Sequence, residues 1–202
     1  MNTPETFIFI GRSGSGKGTQ AEILKQYLEK NTPSPVTYVQ TGQRFRDFTA
    51  QNTHTALLAR EVIETGALMP EFLGVWNWSS IFVDSIKGDE HLILDGMPRR
   101  LREAHIFDSA MEFYGRKMPM VIYLDISHDT AKERLLGRGR ADDNHEDIDR
   151  RLAWFETDVV PVLEWYERDR NYNFVRINGE QPVEQIAADI MGEFQKIYGN
   201  NN

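Results

Sequence analysis

The sequence predicts an α/β protein with a doubly wound, five-stranded parallel sheet, and two observations lead to this prediction. First, five short apolar runs alternate with longer segments of helical spacing, which is the pattern of repeated strand–helix units. Second, the runs are continuously apolar, as is typical of strands buried on both faces of a parallel sheet. The runs are residues 7–10, 36–39, 91–94, 120–125 and 173–177.

The segments between the runs are predicted to be helices. Ser127 is a good N-cap, and Gly66 and Gly137 are expected to end helices. A loop that contains proline, residues 31–35, joins the first helix to the second strand. The predicted helices are 19–30, 42–50, 55–66, 71–86, 102–114, 128–136, 145–169 and 183–197.

Composition limits the classes of function. The chain has 202 residues, 40% of them hydrophobic and 27% charged, as expected of one soluble α/β domain. It has no cysteine, which excludes a disulfide framework and a cysteine-based zinc site. No run approaches the roughly 18 apolar residues of a membrane span, and no signal-like stretch opens the chain. A cytoplasmic monomer without a membrane partner is therefore expected.

The charge distribution favours a small anionic ligand. The net charge of −8 argues against nucleic acid as a partner, because nucleic-acid binding usually needs a basic face. Arginines nevertheless cluster around the motifs, and a basic cleft on an acidic protein suits small anionic ligands. Arg100, Arg102 and Arg150 are expected to be solvated charges on helix faces.

The most specific motif follows the first strand. Residues 11–20 read Gly-Arg-Ser-Gly-Ser-Gly-Lys-Gly-Thr-Gln. The glycines let backbone N–H groups approach phosphate oxygens, the lysine adds a positive charge, and the helix N-terminus adds the positive end of its dipole. The strand before the motif and the helical spacing after it supply the context that such a loop requires. The predicted nucleotide-phosphate contacts are Gly14, Ser15, Gly16, Lys17, Gly18 and Thr19.

The residue order after the lysine of this loop resembles that of a particular protein family. The general pattern has Ser or Thr directly after the lysine, whereas here Gly18 intervenes and Thr19 carries the hydroxyl. The variant Gly-Lys-Gly-Thr resembles the nucleoside monophosphate kinases, adenylate kinase above all, and the resemblance extends from residue 7 to about residue 192. It implies the P-loop NTPase fold and reversible transfer of the γ-phosphoryl group of ATP to a nucleoside monophosphate, with Mg²⁺ as cofactor.

The same resemblance implies how the chain is divided. A single kinase domain, residues 1–202, would carry an inserted helical lobe for the monophosphate at about 40–70 and a very short lid at about 137–146. Small nucleotides are the implied partners.

The segment after the second strand resembles the start of the acceptor lobe. Residues 40–46 read Gln-Thr-Gly-Gln-Arg-Phe-Arg and are similar to the family's Ser-Thr-Gly-Asp-X-X-Arg, with Gln in place of both Ser and Asp. The resemblance puts Thr41 and Gly42 at the nucleotide base and Arg46 on the monophosphate, which suits a guanidinium fork. The later segment Gly-Ala-Leu-Met-Pro resembles Gly-X-Leu-Val-Pro and puts Met69 in the base pocket.

The segment after the third strand resembles the family's Leu-Asp-Gly-Phe-Pro-Arg. It reads Leu-Asp-Gly-Met-Pro-Arg. An aspartate at the C-terminal end of a buried strand, facing a phosphate loop, is a usual place to hold Mg²⁺ and its waters. Asp95, together with Thr19, is therefore the predicted metal site, largely through water. Gly96 is expected to contact the monophosphate, and Arg99 matches an arginine that grips phosphate near the attacking oxygen.

Glu103 occupies the position at which the family usually has a Gln that reads adenine. An ionised glutamate only accepts hydrogen bonds, so it would pair well with the adjacent donors of guanine and poorly with the ring nitrogen of adenine. A mismatched polar edge gives large discrimination. AMP is the expected acceptor because most of the chain resembles adenylate kinase, and GMP and CMP stay open. Alternatively, Glu103 is a solvated residue in the first turn of a helix.

The fourth motif resembles a shortened lid. Residues 134–143 read Arg-Leu-Leu-Gly-Arg-Gly-Arg-Ala-Asp-Asp, and several residues of the family's loop are missing between Arg138 and Arg140. Arg151 matches the inward turn of the following helix, and these three arginines are expected to close over the transferring group. A shortened lid is expected to exclude water less completely during phosphoryl transfer. Arg12, unusual within a phosphate loop, is expected to compensate for it.

The expected mechanism requires positioning and charge neutralisation rather than a general base, because the attacking group is already an anionic phosphate oxygen. The five histidines are scattered and are expected at the surface. Two other classes stay open: a P-loop ATPase or GTPase switch, for which the chain lacks the guanine-reading Asn-Lys-X-Asp motif, and a nucleotide-binding module with little catalysis. The predicted catalytic residues are Lys17, Arg99, Arg138, Arg140 and Arg151.

Overall fold

The computed structural model describes residues 4–139 and 145–199 and has one five-stranded sheet in the order β2-β3-β1-β4-β5. All neighbouring strands are parallel. The predicted fold class is confirmed, and every strand lies within one residue of its predicted bounds. The strands are Thr6–Ile10 (β1), Val36–Gln40 (β2), His91–Asp95 (β3), Met120–Asp125 (β4) and Asn173–Asn178 (β5).

The helices lie within two residues of their predicted bounds, except in one segment. The segment predicted as one helix over 145–169 contains a π-helical turn, Phe155–Val159, that separates two α-helices. The helix predicted to stop at Gly137 continues to Arg138 and ends at Gly139, whose φ of 64° is left-handed and suits glycine. The helices are Lys17–Asn31 (α1), Thr41–Thr49 (α2), His54–Glu64 (α3), Glu71–Ser85 (α4), Leu101–Phe113 (α5), His128–Arg138 (α6), His145–Trp154 (α7), Val160–Arg168 (α8) and Val183–Tyr198 (α9).

Two hydrophobic cores lie on the two faces of the sheet. Successive side chains of a strand point to opposite faces, so Ile8 packs with Trp78 beneath α4, α5 and α8. Phe9 packs on the other face with Phe194, beneath α1 and α9. Burial on both faces is complete for β1 and nearly so for β3 and β4, whereas the edge strands β2 and β5 are half-exposed along most of their length.

The register of the strands brings the predicted site together. Phe9 of β1 and Gln40 of β2 both pair with Asp95 of β3, so the carboxyl ends of these strands are level. The loop after β1, the start of α2 and Asp95 therefore meet at one edge of the sheet, which is where parallel α/β sheets bind ligands. No helix in the part of the chain that the structure describes is long and apolar enough to cross a membrane.

A buried polar cluster lies at the amino ends of the strands, away from the carboxyl ends that meet at the predicted site. His91 is 1% exposed and its Nδ1 accepts a hydrogen bond from the backbone N–H of Glu5 at 3.0 Å. The expectation that the histidines lie at the surface was therefore wrong for His91. Next to it, Glu90 and Arg116 form an ion pair whose side chains are 3% and 5% exposed.

Candidate active site

A cleft of about 650 Å³ lies at the carboxyl edge of the sheet, a volume typical of small-molecule sites. It extends from the loop after β1 to α2 and α7. Most of the predicted site residues line it. They are Gly14, Gly16, Lys17, Gly18, Thr19, Gly42, Arg46, Met69, Asp95, Gly96, Arg99, Arg138 and Arg151.

Four predicted site residues are not among those that line the cleft. Ser15 is fully buried beneath the loop, with its Oγ 3.5 Å from the Lys17 Nζ. The buried hydroxyl of Thr41 donates to the carbonyl of Asp95 at 3.1 Å and so ties α2 to β3. Glu103 borders a separate small cavity. Arg140 lies outside the described residues, as does half of the predicted lid.

The loop after β1 has the backbone of a phosphate cradle. Gly14 and Gly16 have φ values of 85° and 90°, and a Cβ on Gly14 would lie 2.9 Å from a backbone carbonyl of α6. Only glycine adopts this conformation without strain. The Lys17 ammonium donates to the carbonyls of Gly11 and Arg12, both at 2.9 Å. Burial lowers the pKa of Lys17 to about 8, although Asp95 opposes this shift.

Asp95 and Thr19 fit a Mg²⁺ site of the kind that substrate phosphates complete. Asp95 ends β3, and its Oδ2 accepts a hydrogen bond from the Tyr38 hydroxyl at 3.2 Å. A Cβ on Gly18 would lie 3.4 Å from the same oxygen, so the carboxylate faces the start of α1, where Thr19 lines the cleft. Burial, followed by the charge of Asp95, raises the pKa of Tyr38, which keeps the hydroxyl a donor. Mg²⁺ typically binds one or two carboxylates, several waters and phosphate oxygens.

Two of the arginines that line the cleft are held by neighbouring groups. The guanidinium of Arg46 donates from Nη2 to Gln43 Oε1 at 2.7 Å. This partner is a neutral amide, and it orients the guanidinium of Arg46. Arg99 donates from Nε to the carbonyl of Gly96 at 2.7 Å, and burial lowers its pKa. Both contacts hold a guanidinium in place before any ligand arrives.

The structure corrects the interpretation of Glu103 as a solvated residue. Glu103 is 7% exposed, and its Oε2 accepts a hydrogen bond from the backbone N–H of Arg99 at 2.7 Å. Burial raises the pKa of this carboxyl, and the hydrogen bond and charge of Arg99 partly oppose the shift. It borders a cavity of about 20 Å³ between Met69 and Gly96.

Arg12 does not line the cleft, which does not support the expectation that it compensates for the shortened lid. Its guanidinium donates to the carbonyl of Ile126 at 2.9 Å, pairs with Glu156 and lies 4.5 Å from the centre of the Phe155 ring. None of these groups lines the cleft. Arg12 instead joins the phosphate loop to the π-helical turn Phe155–Val159.

Replacing Arg12 with methionine is expected to lower the free energy of unfolding by about 1–3 kcal/mol, because the carbonyl of Ile126 loses its donor in a half-buried setting. Turnover per folded molecule is expected to change less than about 3-fold, since the lost contacts lie outside the cleft. Urea unfolding and initial rates measure the two effects. A large loss of turnover at unchanged stability would contradict this assignment.

Arg100 is also not the solvated charge that the sequence predicted. It pairs with Asp158 of the π-helical turn at 3.0 Å and donates to the carbonyl of Met69 at 2.6 Å. Arg102 is 83% exposed, as expected, and Arg150 is 48% exposed.

The sequence predictions missed several residues that line the cleft, and two of them, Arg134 and Trp154, contact other parts of the site. Arg134 lines the cleft and donates to the carbonyl of Gly179 at 2.9 Å. Trp154 lies beside Arg99, with the Arg99 Cζ 5.6 Å from the ring centre. A signal for Trp154 was present: it is three residues after Arg151, and that spacing puts two side chains on one face of a helix.

The strand, glycine loop and helix with a half-buried lysine at its start define a P-loop nucleotide-binding protein. The family model described as adenylate kinase matches residues 9–171. This chain belongs to the adenylate kinase family and is a phosphotransferase that binds nucleotides.

Curated relatives agree over nearly the whole chain. Adenylate kinase 1 of Nostoc sp. is 32% identical over 183 residues, which cover 91% of this chain and 95% of the relative. Adenylate kinase 1 of Synechocystis sp. is 34% identical over 193 residues, covering 94% and 97%. The adenylate kinase of Bacteroides thetaiotaomicron is 31% identical over 195 residues, covering 94% and 98%.

Proposed function

We propose that this protein catalyses the reversible, Mg²⁺-dependent transfer of the γ-phosphoryl group of ATP to AMP, giving two ADP. One observation carries the proposal: a single cleft is lined both by a phosphate cradle with Lys17 and by two further arginines, Arg46 and Arg99, whose guanidinium groups are already oriented. A hydrolase needs only the cradle. Two arginines in addition to the cradle suit a second phosphate as acceptor.

The residues have distinct roles in this proposal. The loop from Gly14 to Thr19 holds the donor phosphates, and Lys17 spans the β and γ oxygens, which requires it to leave the carbonyls that it contacts now. Arg46 and Arg99 align the acceptor phosphate with the bond to be broken. Arg138 and Arg151 stabilise the charge on the transferring group. Asp95 and Thr19 would hold Mg²⁺, which would supply positive charge to neutralise the donor phosphates.

Glu103 bears on which base is accepted. A neutral carboxyl has one donor and one acceptor, the same complement as the amide that reads adenine, whereas an ionised carboxylate has acceptors alone and suits guanine. Burial raises the pKa of Glu103 and so favours the neutral form. This supports AMP as the acceptor. GMP is the second candidate, because the neighbouring Arg99 favours the ionised form.

Binding of a base beside Glu103 needs a rearrangement. The adjoining cavity of about 20 Å³ has room for about one water. Its walls include Phe45 of α2 and Met69 on one side and Gly96 on the other. We therefore propose that the acceptor lobe, about residues 40–70, moves away from β3 and α5 to admit the nucleotide.

The test is a comparison of initial rates with Mg-ATP and AMP, GMP, CMP or UMP, with the diphosphate products counted. Wild type is expected to prefer AMP and to form two diphosphates per turnover. Its preference for AMP over GMP is expected to fall as pH rises, because Glu103 loses its donor when it ionises. Glu103→Gln is expected to increase that preference about 10-fold and to make it independent of pH.

Glu112→Gln is the matched control, since Glu112 is exposed on the same helix. It is expected to behave as wild type. Release of inorganic phosphate without a second diphosphate would indicate an ATPase, and tight nucleotide binding without turnover would indicate a binding module. A GMP preference that Glu103→Gln converts to AMP would establish GMP as the acceptor.

A further inference from the structure

Trp154, the last residue of α7, is a half-buried side chain in the cleft with two separate contacts. Its indole ring lies 5.6 Å from the Arg99 Cζ, within the range of a cation–π interaction. Its Nε1–H donates to the carbonyl of Gly66 at 3.3 Å. One side chain thus joins the acceptor lobe to an arginine that faces the acceptor phosphate.

The contact between α7 and the acceptor lobe is close. Gly66 has a φ of 65°, and a Cβ there would lie 2.8 Å from the Asp147 Cα, so no other residue fits between the two segments. Arg150 donates to the carbonyl of Thr65. Two successive carbonyls of the lobe therefore accept hydrogen bonds from side chains four residues apart, which lie on one face of α7.

The ring of Trp154 also helps to fix Arg99. The Nε of Arg99 is already held by the carbonyl of Gly96 at 2.7 Å, so the ring supports a guanidinium that is anchored at one end. A long, buried arginine loses side-chain entropy when it is ordered. Contacts that order it before substrate binds remove that loss from the binding and transfer steps.

The chain around Trp154 is itself fixed. In the π-helical turn that follows it, Asp158 pairs with Arg100 at 3.0 Å, and Arg100 donates to the carbonyl of Met69. π-helical turns inside α-helices are rare and often occur at functional sites. This turn connects the end of α7 to the residue next to Arg99 and to a second point of the acceptor lobe.

We propose that Trp154 is a positioning residue, which holds the acceptor lobe against α7 through Nε1 and orients Arg99 through its ring. Arg151 is on the same helix as Trp154. The acceptor lobe therefore closes against α7 in the same step that aligns Arg99 and Arg151. The proposal rests on the function proposed above, since it assigns Trp154 to acceptor binding and transfer.

Two substitutions separate the two contacts. Trp154→Phe keeps an aromatic ring beside Arg99 and loses the N–H donor to Gly66. It is expected to raise the KM for AMP about 3- to 10-fold and to leave kcat within about 2-fold of wild type. Trp154→Leu loses both contacts and is expected to raise that KM and to lower kcat about 3- to 30-fold. The KM for ATP is expected to stay unchanged in both.

Trp165→Leu is the control for a merely structural effect. Trp165 is half-buried, packs beside Tyr166 and Tyr172 with ring centres 4.9 and 5.6 Å away, and does not line the cleft. It is expected to lower the thermal midpoint of unfolding without changing either KM.

The outcomes distinguish this inference from the proposed function. If the wild-type enzyme turns over AMP and Trp154→Phe has the same KM for AMP as the wild type, the role of Trp154 is overturned and the proposed function is not. This test does not depend on whether Trp154→Leu folds. The same shift of KM in Trp165→Leu also overturns the role of Trp154. Absence of wild-type turnover with AMP, GMP, CMP and UMP overturns the proposed function, and the inference with it.

Discussion

Replacing Lys17 with methionine is expected to lower kcat about 100- to 1,000-fold, the usual cost of removing one preorganised donor from a transition state. Methionine keeps much of the length of the side chain and removes the positive charge, so the donor phosphates lose one neutralising contact. Initial rates at saturating Mg-ATP and monophosphate measure the effect. Lys25→Met is the control, because Lys25 lies on the same helix, does not line the cleft and forms surface salt bridges with Glu22 and Glu29.

The same substitution is expected to change the stability of the fold little, because two effects offset: the carbonyls of Gly11 and Arg12 lose their donor, and the cost of desolvating the ammonium is removed. Burial lowers the pKa of Lys17 from 10.5 to about 8. Between these values the unfolded chain binds more protons than the folded chain, so stability rises with pH in this window, and at neutral pH the buried charge opposes folding. The thermal midpoint of Lys17→Met should therefore stay close to that of wild type. A large drop would show that the ammonium mainly holds the loop together.

The pH profile gives an independent check on Lys17. The value of kcat/KM for ATP reports ionisations of the free enzyme. In wild type it should fall as pH rises through about 8, because Lys17 loses its charge there. In Lys17→Met this limb of the profile should be absent. A wild-type profile that stays flat through this pH range would contradict the assignment.

The parts of the site that the sequence predicted are local ones. The loop that contains Lys17 is defined by consecutive residues between a strand and a helix, and Asp95 by its place at the end of a buried strand. Since parallel strands align their carboxyl ends, these two predictions also implied that the loop and Asp95 lie close together. The three inner strands were predicted within one residue because a short, continuous apolar run between two helical segments is typical of a strand that is buried on both faces. The bounds of β2 and β5 were also correct within one residue, although these edge strands are half-exposed.

The parts that the sequence did not predict depend on contacts between distant segments. Arg12 contacts residues near 126 and 156, and Trp154 contacts Gly66 and Arg99. No spacing within one segment encodes such pairs. The π-helical turn is a different case, because Pro161 at the start of α8 interrupts the helical pattern and was a visible signal of irregular backbone before it.

Replacing Arg116 with methionine is expected to lower the free energy of unfolding by about 3–5 kcal/mol, because it leaves Glu90 as a buried charge without its partner. Arg116 pairs with the Glu90 carboxylate and donates to its backbone carbonyl at 2.7 Å. The carboxylate keeps two backbone N–H donors, from Lys87 at 2.8 Å and Gly88 at 3.1 Å. These favour the lower end of the range. Urea unfolding at neutral pH measures the loss.

Two further variants test whether the unpaired charge is the cause. Adding Glu90→Gln to Arg116→Met should recover about 1–2 kcal/mol, because an amide oxygen can still accept from the two N–H groups and carries no charge. Arg102→Met removes an exposed ion pair with Glu71 and should cost less than about 1 kcal/mol. If Arg116→Met lowers the free energy of unfolding no more than Arg102→Met does, the Glu90–Arg116 pair contributes no more to stability than a surface ion pair. Since the Glu90–Arg116 pair lies at the end of the sheet opposite the cleft, kcat per folded molecule should not change in Arg116→Met or in the double variant.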